Sequence, residues 1–128
     1  MKSSSFYLGL ALLFTHELDS MPNHEWRVLP LLRSLSESAG ETVFVIAHVP
    51  LFALTIAYVA SLNKNTRKLA RDIASGFFVV HAILHVLFSG HPDYDFSSPL
   101  SSLLIFGAAI CGMAYFLSGS AKAAGSQG

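Results

Sequence analysis

The sequence predicts an all-α integral-membrane four-helix bundle, on three observations. Apolar residues make up 52% of the chain and charged residues 12%, against roughly 45–50% and 25% in soluble domains. The apolar residues gather into four segments. Five of the six histidines, His16, His48, His81, His85 and His91, lie inside or at one end of those segments. A full charge at mid-bilayer costs roughly 2.5–3.5 kcal/mol on insertion scales, so such residues persist with a partner or a function.

A single bundle over residues 1–120, with a disordered tail at 121–128, uses up the chain. The formal net charge of zero and the lack of a basic block argue against nucleic-acid binding. Cys111 is the single cysteine, so no intrachain disulfide forms.

The expected spans are about 6–19, 41–62, 72–89 and 100–118, set against the ~20 residues that cross a ~30 Å hydrocarbon core. The first is short, and Lys2 followed by Phe6 to Phe14 also looks like the start of a secretory signal. Phe14-Thr15-His16-Glu17-Leu18-Asp19 contains no small-x-small cleavage site, so retention is expected. Between spans one and two, Asn23 can cap a helix that starts at His24. Trp26, Val28, Leu29, Leu32 and Leu35 then recur at helical spacing until Pro30 shortens or bends it, giving an amphipathic or re-entrant lid. Span two carries His48 two residues before Pro50, which frees the carbonyl of Ile46 and predicts a kink. Span three carries His81-Ala82-Ile83-Leu84-His85. Span four has no His, Asp or Glu; its Gly107, Ala108, Gly112 and Ala114 suit close helix contact or homo-oligomer assembly.

Basic residues orient the bundle. Lys64, Arg67, Lys68 and Arg71 cluster between spans two and three, with Lys2 and Lys122 at the ends, so both termini are expected to be cytoplasmic in a multi-pass protein of the cell inner membrane. Tyr7, Tyr58 and Tyr115 then fall near the inner interface, and Trp26 and Tyr94 near the outer one. At about 1.5 Å per residue, His16, His48, His85 and His81 lie about 5, 10, 6 and 12 Å below the outer surface. Three antiparallel helices thus bring four imidazoles to one layer.

Residues four apart share a helix face, so His81 and His85 can chelate one metal ion. His16 and Asp19 are i, i+3 neighbours, whereas Glu17 points about 100° away from His16. Glu41 lies seven residues before His48 on the same face, and Glu25 adjoins His24. Plainer readings stand beside these: His48 as a helix-packing hydrogen bond, Asn23 and Glu25 as capping residues, and Gly90-His91-Pro92-Asp93-Tyr94-Asp95 as an ordinary turn.

The order Thr15-His16-x-x-Asp19, His24-Glu25-Trp26, His48 and His81-x3-His85, over roughly Phe6 to Leu117, resembles a family of small bacterial four-helix membrane proteins of unknown function. It is more distantly similar to membrane proteins named for an H-x-x-E-E motif, from which it departs with Ser20 at an acidic position. Neither resemblance implies an activity.

The leading expectation is an intramembrane site for a divalent transition metal (Zn, Fe, Mn or Cu), held by His48, His81 and His85 with His16 or Asp19, and with His24 and His91 as weaker candidates. Glu17, Glu25 or Glu41 would be the general base for a lipid-like substrate drawn from the bilayer. Three alternatives are metal-free His/Glu acid–base isomerisation of a lipid, metal or proton transport or sensing, and a non-enzymatic assembly subunit.

Overall fold

The computed structural model describes residues 2–124, and within them the fold is all-helical. Four helices, α1 (Lys2–Asp19), α2 (Glu37–Val59), α3 (Lys64–Phe88) and α4 (Pro99–Ala124), are joined by a 3₁₀ turn at Glu25–Arg27 and by loops. Three stretches, Glu37–Val59, Lys64–Phe88 and Pro99–Ser118, are long and apolar enough to cross a membrane. The 18-residue α1 carries Lys2, Glu17 and Asp19 and packs against both α3 and α4.

Helix boundaries shift from the hydropathy reading. Asn63 accepts from the backbone N–H groups of Asn65 and Thr66, so α3 starts at Lys64 rather than at 72, because a capped polar turn is as helical as an apolar one. The second helix begins at Glu37, four residues early, and ends at Val59. The tail expected at 121–128 overlaps the end of α4 and otherwise lies outside the described residues.

The segment between α1 and α2 departs most from expectation. Instead of capping a following helix, Asn23 donates from Nδ2 to the Asp19 carbonyl at 2.6 Å and closes the end of α1. His24 adopts a left-handed backbone, φ 50° and ψ 47°, and only the short turn Glu25–Arg27 follows. Trp26 is buried; its ring lies tilted against Phe44 and fills the notch at Gly40, where an added Cβ would meet it at 2.9 Å. Trp26 Nε1 donates to Glu37, and Arg27 makes two 2.9 Å hydrogen bonds to the same carboxylate. The segment is thereby fastened to the start of α2.

The core follows from side-chain spacing. Phe6, Gly9, Leu10, Leu13 and His16 form one buried stripe of α1, and Ser75, Phe78, Ala82 and His85 form one of α3. The small residues Ala108, Ala109 and Gly112 of α4 are buried and let backbones approach closely. A Cβ at Gly112 would lie 2.5 Å from the Ser75 carbonyl oxygen. Ala108 and Gly112 thus serve contacts within the chain. At the far end of the bundle from the imidazoles, Tyr115 donates to Asp72, and Arg71 donates to Tyr7 while lying over the Phe6 ring.

In contrast, α2 stands apart. It packs on α3 and on the 3₁₀ turn, but no Cα of α2 comes within 8 Å of one in α1. Only Gly40, Phe44 and Val59 of α2 are buried. The helix runs on through Pro50 without a break.

Replacing Gly112 with leucine is expected to push α4 off α3 and cost about 1–3 kcal/mol or more of stability. Gly107→Ala, whose methyl group meets only the flexible end of Leu12 at 3.2 Å, should be near neutral. Thermal unfolding of both variants in detergent checks this.

Candidate metal centre and adjoining acid–base pair

The buried stripe of α1 ends in His16 and that of α3 in His81 and His85, so close packing of the two helices brings three imidazoles together. Their ring centroids form a triangle with sides of 4.8, 4.8 and 4.6 Å. Glu25 closes the group from above: its oxygens lie 3.7 Å from His16 Nε2 and 3.8 Å from His85 Nε2. His81 Nε2 and His85 Nε2 are 3.2 Å apart. One donor atom from each of His16, Glu25, His81 and His85 lies within 4.8 Å of the other three.

His16 is fully buried, yet neither of its ring nitrogens has a hydrogen-bond partner. Buried polar atoms are normally paired, because leaving one unsatisfied costs about 1–3 kcal/mol. His85 is oriented by Tyr94, whose hydroxyl stands 3.2 Å from its Nδ1, and by the edge of Phe96. Tyr94 is half-buried, with its ring against those of His85 and Phe96. The Ser20 hydroxyl hydrogen-bonds one oxygen of Glu25. Burial pushes the Glu25 carboxyl up to about 7, with the Ser20 hydrogen bond acting in the opposite direction.

A second polar unit lies beside the first. His48 Nε2 is 2.9 Å from Glu17 Oε2, while Nδ1–H donates to the Phe44 carbonyl at 2.7 Å. Because that carbonyl can only accept, the proton on Nδ1 is fixed, and the short contact on the other side needs a further proton between imidazole and carboxyl. His48 and Glu17 therefore form a proton-holding pair that bridges α1 and α2.

The remaining candidates lie elsewhere. Asp19 accepts from Ser101 at 2.6 Å and ties α1 to α4. The His24 ring packs edge-on against Trp26. His91 Nδ1 accepts from the Asp93 backbone N–H within its own turn, and Glu41 is exposed. Ser20, Tyr94 and Phe96 were not singled out as site residues from the sequence. Two of them sit in loops with no periodicity to place them, and Ser20 was legible only as the departure from the H-x-x-E-E pattern.

Two cavities flank the centre. One of about 40 Å³ is bordered by Glu25, His81, His85, Tyr94 and Phe96, room enough for a water molecule. The other, of about 810 Å³, is a largely apolar groove between α2 and the α1–α3 face, with the carboxyl and imidazole groups of Glu17, Glu25, His48 and His81 and the hydroxyl groups of Thr55, Tyr58 and Thr66 in its lining. Glu25, Leu29, His81 and Leu84 border both.

A family model described as "Family of unknown function (DUF6713)" matches residues 2–122. The chain belongs to this family. The match takes in all four helices through residue 122 and every residue of the two polar units. Nothing among the curated proteins or the solved structures matches the chain.

A carboxyl raised from 4.5 to about 7 binds its proton more tightly in the folded chain than in the unfolded one. Its contribution therefore lowers stability as pH rises between those values. After chelation, Glu25→Gln is expected to gain stability relative to the unsubstituted protein between pH 5 and pH 8, by at most about 3 kcal/mol. Thermal unfolding in detergent across that range reads the difference.

Proposed function

We propose that this protein is a multi-pass protein of a cell inner membrane, with both termini cytoplasmic, that holds one divalent transition-metal ion on His16, His81, His85 and Glu25 and uses it on a lipid-like substrate. The observation that carries the metal reading is His16, a fully buried imidazole with neither nitrogen paired, set among three other donor groups. A metal ion would satisfy it.

The donor set fits the chemistry. Three imidazoles and one carboxylate suit Zn²⁺, Fe²⁺, Mn²⁺ or Cu²⁺. Around a tetrahedral zinc with bonds of about 2.0–2.1 Å, ligand atoms stand roughly 3.3 Å apart. The separations of 3.2, 3.7 and 3.8 Å, within a set spread over as much as 4.8 Å, mean that the widest pair would have to draw in by up to about 1.5 Å on binding. Tyr94 against His85 Nδ1 and Ser20 against Glu25 supply the outer hydrogen bonds that orient ligands in such sites. Relative to the ligand set expected from the sequence, Glu25 takes the acidic position in place of Asp19, and His48 moves out of the ligand set into the Glu17 pair.

When bound, the metal would supply Lewis acidity or lower the pKa of a coordinated water. The small cavity beside Glu25, His81 and His85 would admit water, and the groove on the other side of the same partition would admit an apolar substrate. The Glu17–His48 pair faces that groove and would give or take a proton, which makes Glu17 the acid–base group in preference to the exposed Glu41.

The pair also favours a second reading, metal-free acid–base chemistry on a lipid by Glu17 and His48 alone. Activity that survives exhaustive chelation but not Glu17→Gln would select it.

Protein purified without a histidine tag is expected to carry about one metal ion per chain by elemental analysis. His16→Ala and the His81→Ala, His85→Ala double variant should lose it, whereas His91→Ala and Glu41→Gln should keep it. A metal-free unsubstituted protein, or a double variant with full metal content, would overturn the reading.

A further inference from the structure

We propose that the groove between α2 and the α1–α3 face binds a single acyl chain of a bilayer lipid, lying along α2 with the Glu17–His48 pair beside it. The proposal deepens the reading above, since it rests on a membrane setting and on a lipid-like substrate, but it does not depend on the metal. The groove's position is its first support. Leu51, Leu54, Tyr58, Leu69 and Ile73 line it and are all more than half exposed. In a bilayer, residues so exposed on helices apolar enough to span it face acyl chains, which are the solvent there.

Its dimensions are the second support. From His48 to Val59 at the far end is about 16 Å at 1.5 Å per residue, half of a ~30 Å hydrocarbon core and so the depth of one leaflet. A volume of about 810 Å³ falls within the roughly 300–1,000 Å³ of ligand cavities.

The bridging contacts decide the occupant. No α1 Cα lies within 8 Å of an α2 Cα, yet Phe14 and Phe52 meet at a centroid distance of 4.3 Å and Glu17 meets His48 at 2.9 Å. The gap is closed by side chains at two levels. A helix, about 10–12 Å across with its side chains, cannot enter between α1 and α2 without breaking both bridges. A polymethylene chain can lie along them. A second copy or a partner helix is thus the poorer occupant, and an acyl chain the better one.

The carboxyl and imidazole groups of the lining are confined to the level of Glu17, Glu25, His48 and His81, while beyond it stand Leu51, Phe52 and Leu54 with only the hydroxyl groups of Thr55, Tyr58 and Thr66. An acyl chain lying below that level would place its ester or another polar group against the Glu17–His48 pair.

The test is photocrosslinking in nanodiscs with a phosphatidylglycerol carrying a diazirine midway along one acyl chain, followed by peptide mapping. Labelling of residues 51–58 and 69–77 is expected to exceed that of the outward residues Leu103, Ile110 and Leu117 of α4 at least fivefold. Ala47→Trp and Thr55→Trp, which fill the groove, should each remove most of the excess without changing α4 labelling or metal content. Equal labelling of groove and α4 in the unsubstituted protein would overturn the proposal. Selective groove labelling in a protein that carries no metal would leave the lipid site standing and sink the metal reading alone.

Discussion

Close approach of α4 to its neighbours is the constraint on which the rest of the structure depends. Gly112 sits against the Ser75 carbonyl, and Gly9 of α1 has the Phe78 ring and Cys111 where a Cβ would stand. Without hydrophobic segregation to drive helices together inside a membrane, contact at this range supplies dispersion that bulkier residues would prevent. Only when α1, α3 and α4 are drawn this tightly do the ends of two buried stripes bring His16 within reach of His81 and His85. The polar centre is therefore a product of apolar packing, and its ligands are aimed by the residues a turn or two away.

Much of the architecture was legible because periodic features are local. The four helices show as apolar runs, and the family membership agrees with the resemblance carried by the histidine motifs. His16, His81 and His85 could be expected as neighbours because each extends an apolar stripe at three- and four-residue steps. The same wheel that turned Glu17 away from His16 left it free for another helix.

What was not legible depends on which helix lies beside which, and on loop backbone. Asp19 is on the His16 side of an ideal helix, but α4 is there too, and Ser101 takes its carboxylate. The role of Glu25 follows from the left-handed turn at His24, a conformation that a histidine adopts only occasionally and that no pattern announces. Asn23 has one carbonyl end and one amide end to offer, and its amide closes the helix behind it rather than its carbonyl opening one ahead. Span limits read from hydropathy missed the polar first turns of α2 and α3, since helix formation continues wherever caps and hydrogen bonds allow it, whatever the side chains prefer as solvent.

The separateness of α2 bears on how such a chain enters a bilayer. Most side chains of α2 are exposed, and its one imidazole, His48, needs only Glu17 of α1. The first three helices all carry imidazole or carboxyl groups that hydrocarbon would penalise until a companion arrives, but His48 of α2 meets Glu17 of the helix made before it, whereas His16 and Asp19 of α1 find their neighbours on α3 and α4. Insertion therefore has a built-in order of commitment, in which the second helix needs only the first, while the first waits, across most of the chain's synthesis, for the third and fourth to shelter it.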